Sequence, residues 1–512
     1  VKRLFANTLI TSVDYAVLVA LNLAATPFLI QHFGMDGYGA FVFLSIFSIY
    51  GALAVFDLGM EGALMNYIAR FQAADQQGKM QSALAVSLVY YAAIGALLGL
   101  AIHVGTNLLA SRLLDSSATL EATVLHQAVS LVAVNIFFQF LTVPLTATLQ
   151  GMRRYAVSKG INSASNVLRY VLVVAVAIWF GRIDAGFVVV LALTVLRLAA
   201  LAYALFAQTP EFRHMRWRLE GSLFRTLFSY SSILFVTRVI GLVHNQTPKV
   251  LIWYYLSATS MTVYDVAARP ATLLRLVMSM LVSAIIPESA RLSEQGDKET
   301  LRKLYVNMVR YSYLVILPLL AVLFAHMGGL LRAWVGDQFR AYSELALILL
   351  TGYLILPISA VANTMVVGLQ KVRETIWIPI TGTAINLVVS IVSLQYIGLA
   401  GLMLGTVASQ LFTFVPYAHA MGRFVGFSVK ELYRPLLKPV LVALVSLVVN
   451  VSAQRWLMGL TTLIGIIAAV SLAINLALNY RFMLQPNEQA FLVERVRSFW
   501  SRVSPGQGPG TD

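Results

Sequence analysis

Phe56-Asp57-Leu58-Gly59-Met60-Glu61-Gly62, running on to Tyr67-Ile68-Ala69-Arg70, closes an apolar run that begins near Tyr38. It sets two carboxylates where a membrane segment ordinarily has none. On a continuous helix Asp57 and Glu61, four apart, share one face. Gly59 and Gly62 favour a break, since glycine weakens a helix and admits another backbone. A carboxylate in lipid costs several kcal/mol, so such groups face a bundle interior, a wet cavity or the membrane–water boundary. That leaves two readings: a boundary, or a polar patch along a path through the membrane.

Outward from that stretch, apolar runs of about 20 residues recur, each long enough for a hydrocarbon core of ~30 Å. Apolar residues make up 59% of the 512 and charged residues only 12%. The chain therefore reads as an all-α polytopic membrane protein. A barrel would show short alternating segments instead. Without cysteine there are no disulfides, thiolate nucleophiles or thiolate metal sites. Val1-Lys2-Arg3 leads into a first span with no small-residue cleavage site, so no removable signal peptide is expected.

The net charge of +15 raises the question of nucleic acid, but its placement answers it. Threading about fourteen spans from a cytoplasmic amino terminus puts most of the 37 Lys and Arg on the cytoplasmic side, as the positive-inside rule requires. The expected spans include 38–58, 225–247 and 458–482, and both termini fall inside.

The expected organisation is an amino-terminal lobe over 1–210 and a carboxy-terminal lobe over 211–422. Two further spans occupy 423–484, then an interfacial amphipathic helix over 485–503 lies on membrane lipids, and a disordered tail covers 504–512. The two lobes read as six-span copies. Thr26-Pro27 has a counterpart in Thr247-Pro248, and Ala69-Arg70 in Ala290-Arg291. Gln150-Gly151 with Arg153 recurs loosely as Gly368-Leu369-Gln370-Lys371 with Arg373. An even number of spans per copy makes the repeat parallel, its axis along the membrane normal. Gly95 and Gly99 form a GxxxG, a close helix contact.

Tyr38-Gly39, the Phe56-to-Arg70 motif and Gln150-Gly151 together resemble the polysaccharide (O-antigen, Wzx-type) flippases of the multidrug/oligosaccharidyl-lipid/polysaccharide (MOP) exporter superfamily, over spans one to twelve. That resemblance implies two six-helix lobes and alternating access. It also implies ion-coupled export of an undecaprenyl-diphosphate-linked oligosaccharide across a bacterial inner membrane, beside glycan polymerisation and assembly partners. A multidrug exporter, a lipid II flippase and a non-transporting component of glycan assembly stay open as alternatives.

No phosphate-binding G-x-x-x-x-G-K-[ST], no H-E-x-x-H and no ligand spacing among seven histidines is present, so neither an enzyme nor a cofactor or metal site is expected. Trp253, Tyr254 and Tyr255 read as an interfacial belt. Five arginines fall inside spans: Arg169, Arg197, Arg238, Arg269 and Arg275. Each would cost ~3 kcal/mol at a lipid-facing helix centre, so they must face protein or water. Asp57, Glu61 and Asp265 neutralise only part of that charge, and Arg269 stands one helical turn after Asp265. The positive remainder suits a diphosphate, which guanidinium forks grip in bidentate fashion. The expected substrate contacts are these five arginines, with Arg169, Arg197, Arg238 and Arg275 gripping the diphosphate and Arg269 more readily paired to Asp265. The expected coupling groups for a proton or Na⁺ are Glu61, Asp57 and Asp265.

Overall fold

The computed structural model describes residues 2–48, 51–115, 120–213, 219–456 and 464–483, all of them helical or connecting, with no strand among them. Helices prevail because lipid offers no partner to a backbone N–H or C=O, so each span must satisfy its own. The first half holds α1 (Lys2–Leu44), α2 (Met60–Ala73), α3 (Gln77–Asp115), α4 (Ala122–Gly151), α5 (Tyr155–Phe180) and α6 (Ile183–Ala202). A short α7 (Pro210–Arg213) and α8 (Gly221–Tyr255) lead to α9 (Ala258–Val282), α10 (Ile285–Glu294) and α11 (Lys298–Val335). Then come α12 (Ser343–Thr351), α13 (Leu356–Gly368), α14 (Val372–Thr375), α15 (Trp377–Ile397), α16 (Leu399–Val425), α17 (Lys430–Trp456) and α18 (Ile464–Met483).

Ten described helices are long and apolar enough to cross a membrane, or eleven when the pair Asp337–Leu354 and Leu356–Gly368, bent by 52°, counts as one. The expected spans 38–58, 225–247 and 458–482 are not among them; the side chains of 229–238 in the second, and part of the third, lie outside the described residues. Fourteen therefore stays an expectation. The segment 38–58 is not one helix. α1 runs through a break at Gly34 (φ 72°) to Leu44, and the chain then turns and resumes as a 3-10 turn over Ala52–Asp57. The expected amphipathic helix at 485–503 and the tail at 504–512 lie outside the described residues.

Backbone geometry carries the internal repeat. Asp75 (φ 52°) and Gly296 (φ 69°), 221 residues apart, end α2 and α10 in the left-handed region. Around them the same bonds recur: Ala74 N–H to Arg70 and Gln295 N–H to Arg291, Gln76 N–H to Phe71 and Asp297 N–H to Leu292. Further on the interval is 217: Arg153 (φ 62°) answers Gln370 (φ 58°), and Gly181 (φ 63°) answers Gly398 (φ 57°). Gly151 thus corresponds to Gly368 itself, a sharper register than the loose match of Gln150-Gly151 with Gly368-Leu369. Both glycines do one job. A Cβ on Gly151 would stand 2.6 Å from the Met65 carbonyl oxygen, and one on Gly368 would stand 2.7 Å from that of Ile286. Met65 and Ile286 are themselves 221 apart.

By packing, the chain forms two compact units, Val1–Ala267 with Pro379–Gly405, and Ala268–Ile378 with Thr406–Asp512. These units group contacts, whereas the lobes 1–210 and 211–422 group the repeat, and the lobes stand as a proposal. In the first unit α3 packs along α4, α4 on α6, and α5 on both α6 and α1. The GxxxG makes the first of these contacts close: a Cβ on Gly99 would stand 2.6 Å from the Ala133 carbonyl oxygen, and one on Gly95 3.2 Å from the Phe137 Cα. Trp253 departs from the expected belt, because it is buried and stacks on Phe43 with ring centroids 4.2 Å apart. Tyr254 and Tyr255 are exposed. In the second unit α11 carries α13, α17 and α18. Asp297 caps α11, its carboxylate accepting from the Thr300 N–H at 2.9 Å, and these bonds hold its carboxyl below the usual range.

Candidate functional site

Asp57 and Glu61 do not share a helix. The 3-10 turn ends at Asp57, Leu58 (φ 49°) and Gly59 (φ 79°) both turn left-handed, and α2 then starts at Met60. A leucine in that conformation costs about 1–2 kcal/mol, so something must hold it. Asp57 does. Its Oδ2 accepts from the Gly59 N–H and its Oδ1 from the Glu61 N–H, each at 3.2 Å, satisfying donors that a helix start leaves open. The Tyr91 hydroxyl of α3 donates to the same Oδ1, and the neighbouring Tyr90 hydroxyl donates to the Phe56 carbonyl at 2.7 Å. The carboxylate is 2% exposed, while Glu61 in the first turn of α2 is half-buried. Non-helical backbone at membrane depth persists only where protein or a wet cavity receives it, and here two consecutive tyrosines receive it.

A second polar cluster joins α1 to the start of α9. The Tyr38 hydroxyl donates to Asp265 Oδ2 at 2.9 Å, the Thr259 hydroxyl to the Asp36 carboxylate, and the Thr262 hydroxyl to the Met35 carbonyl at 2.5 Å. Gly39 lies among them, a Cβ there standing 1.9 Å from the Ala258 carbonyl oxygen. The Tyr38-Gly39 pair therefore has a physical reason: the tyrosine holds a buried carboxylate, and the glycine lets α9 come close enough for it.

The arginines have different settings. Arg197 on α6 is 7% exposed and donates from Nη2 to Thr142 Oγ1 on α4 at 3.2 Å. Thr142 spends its own hydroxyl hydrogen on the Gln139 carbonyl at 2.7 Å, leaving its lone pairs to the guanidinium. Arg169 on α5 is half-buried, its guanidinium 5.2 Å from the Tyr170 ring centroid, and Tyr170 accepts from Asn22 at 3.0 Å. Arg269 is half-buried and Arg275 exposed, both on α9. Arg238 belongs to α8, but its side chain lies outside the described residues. Among the described residues no group of three or more His, Asp or Glu could hold a metal ion.

Sequence reading missed Tyr90, Tyr91 and Thr142. Tyr90-Tyr91 carried a usable signal, since two hydroxyl-bearing rings in mid-span must each find a partner. Thr142 carried none.

These features define a multi-pass helical membrane protein built on an internal repeat. The family described as polysaccharide biosynthesis protein matches residues 63–344, more than half of the chain, and this chain belongs to that family. A relative, the probable low-salt glycan biosynthesis flippase Agl15 of Haloferax volcanii, is 21% identical over 202 residues, which are 40% of this chain and 43% of that protein. The chain thus matches less than half of that relative's length. Among solved structures, the lipid II flippase MurJ in an inward closed conformation superposes with a TM-score of 0.72 at 13% identity, over 93% of this chain and 100% of that one. An inward-facing multidrug resistance MATE family transporter of the MOP superfamily gives 0.63 at 14% identity, over 80% and 94%. At such identities the likeness is one of fold.

Proposed function

We propose that this protein is a flippase that moves an undecaprenyl-diphosphate-linked oligosaccharide across a bacterial cytoplasmic membrane by alternating access, with both termini inside. The observation that carries this reading is the family match over 63–344 on a fold built from two parallel repeats, an architecture that transporters use. The relative's name, a glycan biosynthesis flippase, and the intraspan arginines agree with it. A cationic drug would favour an acidic path, and five arginines argue against one.

In this reading Arg169, Arg197, Arg238, Arg269 and Arg275 supply the positive charge that a diphosphate needs. Lysine keeps the charge but loses the fork. Flipping of a fluorescent lipid-linked oligosaccharide in proteoliposomes should therefore fall in the order wild type, Arg→Lys, Arg→Ala at Arg169 and Arg197. Normal transport by both alanine variants, once they are shown to fold, would remove the phosphate role and leave these residues to helix packing.

Coupling to H⁺ or Na⁺ is assigned to Glu61, with Asp57 and Asp265 as further candidate carboxylates. A bound cation shifts the transport equilibrium only if the two states hold it differently. Glu61→Gln should abolish the pH or Na⁺ dependence of flipping. If the dependence persists unchanged in that variant, Glu61 is no part of the coupling.

A further inference from the structure

At one end of the first bundle stand four cations, Arg70, Lys79, Arg153 and Arg154, and the two with cationic repeat equivalents, Arg70 and Arg154, have surroundings unlike theirs. Tyr67 and Phe71, on the last turns of α2, have ring centroids 5.8 Å apart. The Arg70 guanidinium lies 5.4 Å from the Tyr67 centroid, and the Lys79 ammonium 6.0 Å from that of Phe71. The close approach of Gly151 to α2 brings the loop after α4 to the same end. There Met152 shares a buried cluster with Ile68, Met80 and Phe212, and Phe71 packs against it. Arg153 is exposed in the left-handed region, and Arg154 donates from Nη1 to the Gln208 carbonyl at 3.3 Å.

In the second repeat the two cations that correspond to Arg70 and Arg154 meet acids, while Lys79 and Arg153 fall opposite Thr300 and Gln370. Arg291, 221 residues after Arg70, pairs with Glu288 at 2.6 Å. Lys371, 217 residues after Arg154, pairs with Glu374 at 2.7 Å, and that carboxylate also takes Arg423 at 2.7 Å. Among the described residues, the contacts of the first-repeat cations are aromatic rings and a carbonyl, with no carboxylate. The negative end of α2 accounts for a cation at Arg70. The negative end of α4 does the same for Arg153, just past it, but neither accounts for Lys79 at the start of the next helix, where the dipole disfavours a cation.

We infer that this patch is a binding site for the phosphodiester headgroup of an anionic membrane phospholipid. A cation held over a ring keeps its charge while its apolar stem and the ring beneath stay in the interface. Guanidinium groups on both flanks can then fork onto phosphate oxygens. An anionic leaflet supplies that ligand at high local concentration. The site is separate from the intraspan arginines and does not depend on their role.

The test is thermal unfolding of the full-length protein in neutral detergent, titrated with phosphatidylglycerol or with phosphatidylcholine. Wild type should be stabilised by phosphatidylglycerol alone. The variant R70Q/K79Q/R153Q should need at least about tenfold more phosphatidylglycerol for the same half-maximal shift, since each basic group near an anionic surface contributes a several-fold factor. The comparison variant R291Q/K303Q/K371Q, in which Lys303 too is paired with an acid (Glu299, 2.7 Å), should stay within about twofold of wild type. Equal weakening in both, or in neither, overturns the proposal. Should the triple variant unfold, R153Q alone, on an exposed side chain, must raise the half-maximal concentration roughly threefold, and no change there overturns it as well. Undecaprenyl diphosphate added as competitor separates the sources: displacement of phosphatidylglycerol at equal or lower concentration would make this a substrate site and refute the phospholipid assignment.

Discussion

Asp57→Ala is expected to destabilise the folded protein by about 3 kcal/mol, more than half of it from the lost helix cap and charge-assisted bonds. Three donors converge on this carboxylate: two backbone N–H groups of the α2 start and the Tyr91 hydroxyl. Alanine leaves all three buried without their acceptor, at a place where Leu58 is already in an unfavourable conformation. Asp57→Asn keeps one acceptor oxygen and should retain most of the stability, losing about 1 kcal/mol. Tyr91→Phe removes one donor but leaves both backbone bonds, and should fall between wild type and alanine. Thermal unfolding of the purified variants in detergent checks the order. If Asp57→Ala unfolds like wild type, the carboxylate does not cap the break, and its burial needs another cause.

The second large effect is expected at Gly39. A methyl group there would lie 1.9 Å from the Ala258 carbonyl oxygen and 2.7 Å from its carbon, far inside contact distance and against backbone rather than a flexible side chain. To admit it, α1 and α9 must separate, which weakens the bonds from Tyr38 to Asp265 and from Thr262 to Met35. Overpacking and two weakened buried bonds together come to about 4 kcal/mol. Gly39→Ala should accordingly lower the midpoint of thermal unfolding strongly, or leave no folded protein to recover. Gly62→Ala is the internal comparison: nothing lies within 4 Å of its added Cβ, and the site is helical, so it should be neutral or stabilising by up to about 1 kcal/mol. Equal behaviour of the two variants would mean that the α1–α9 approach tolerates being opened.

The membrane class, the parallel repeat and the α3–α4 contact through Gly95 and Gly99 were all legible in the sequence. Each rests on a local or periodic property. Apolar runs of a span's length report transfer to lipid, a common offset between copies reports duplicated backbone geometry, and GxxxG reports a helix face without side chains. The break at Gly59 was also signalled, because glycine marks where a left-handed turn is cheap. The consequences of that break were not legible. Asp57 and Glu61 look like a helical i,i+4 pair until the turn separates them, and which of them is committed to hydrogen bonds depends on Tyr91, 34 residues away. Asp265 likewise finds Tyr38 across 227 residues, and Arg197 finds Thr142 across 55. Periodicity fixes which residues share a face. The rotation and crossing of packed helices fix which faces meet, and only the tertiary structure sets those.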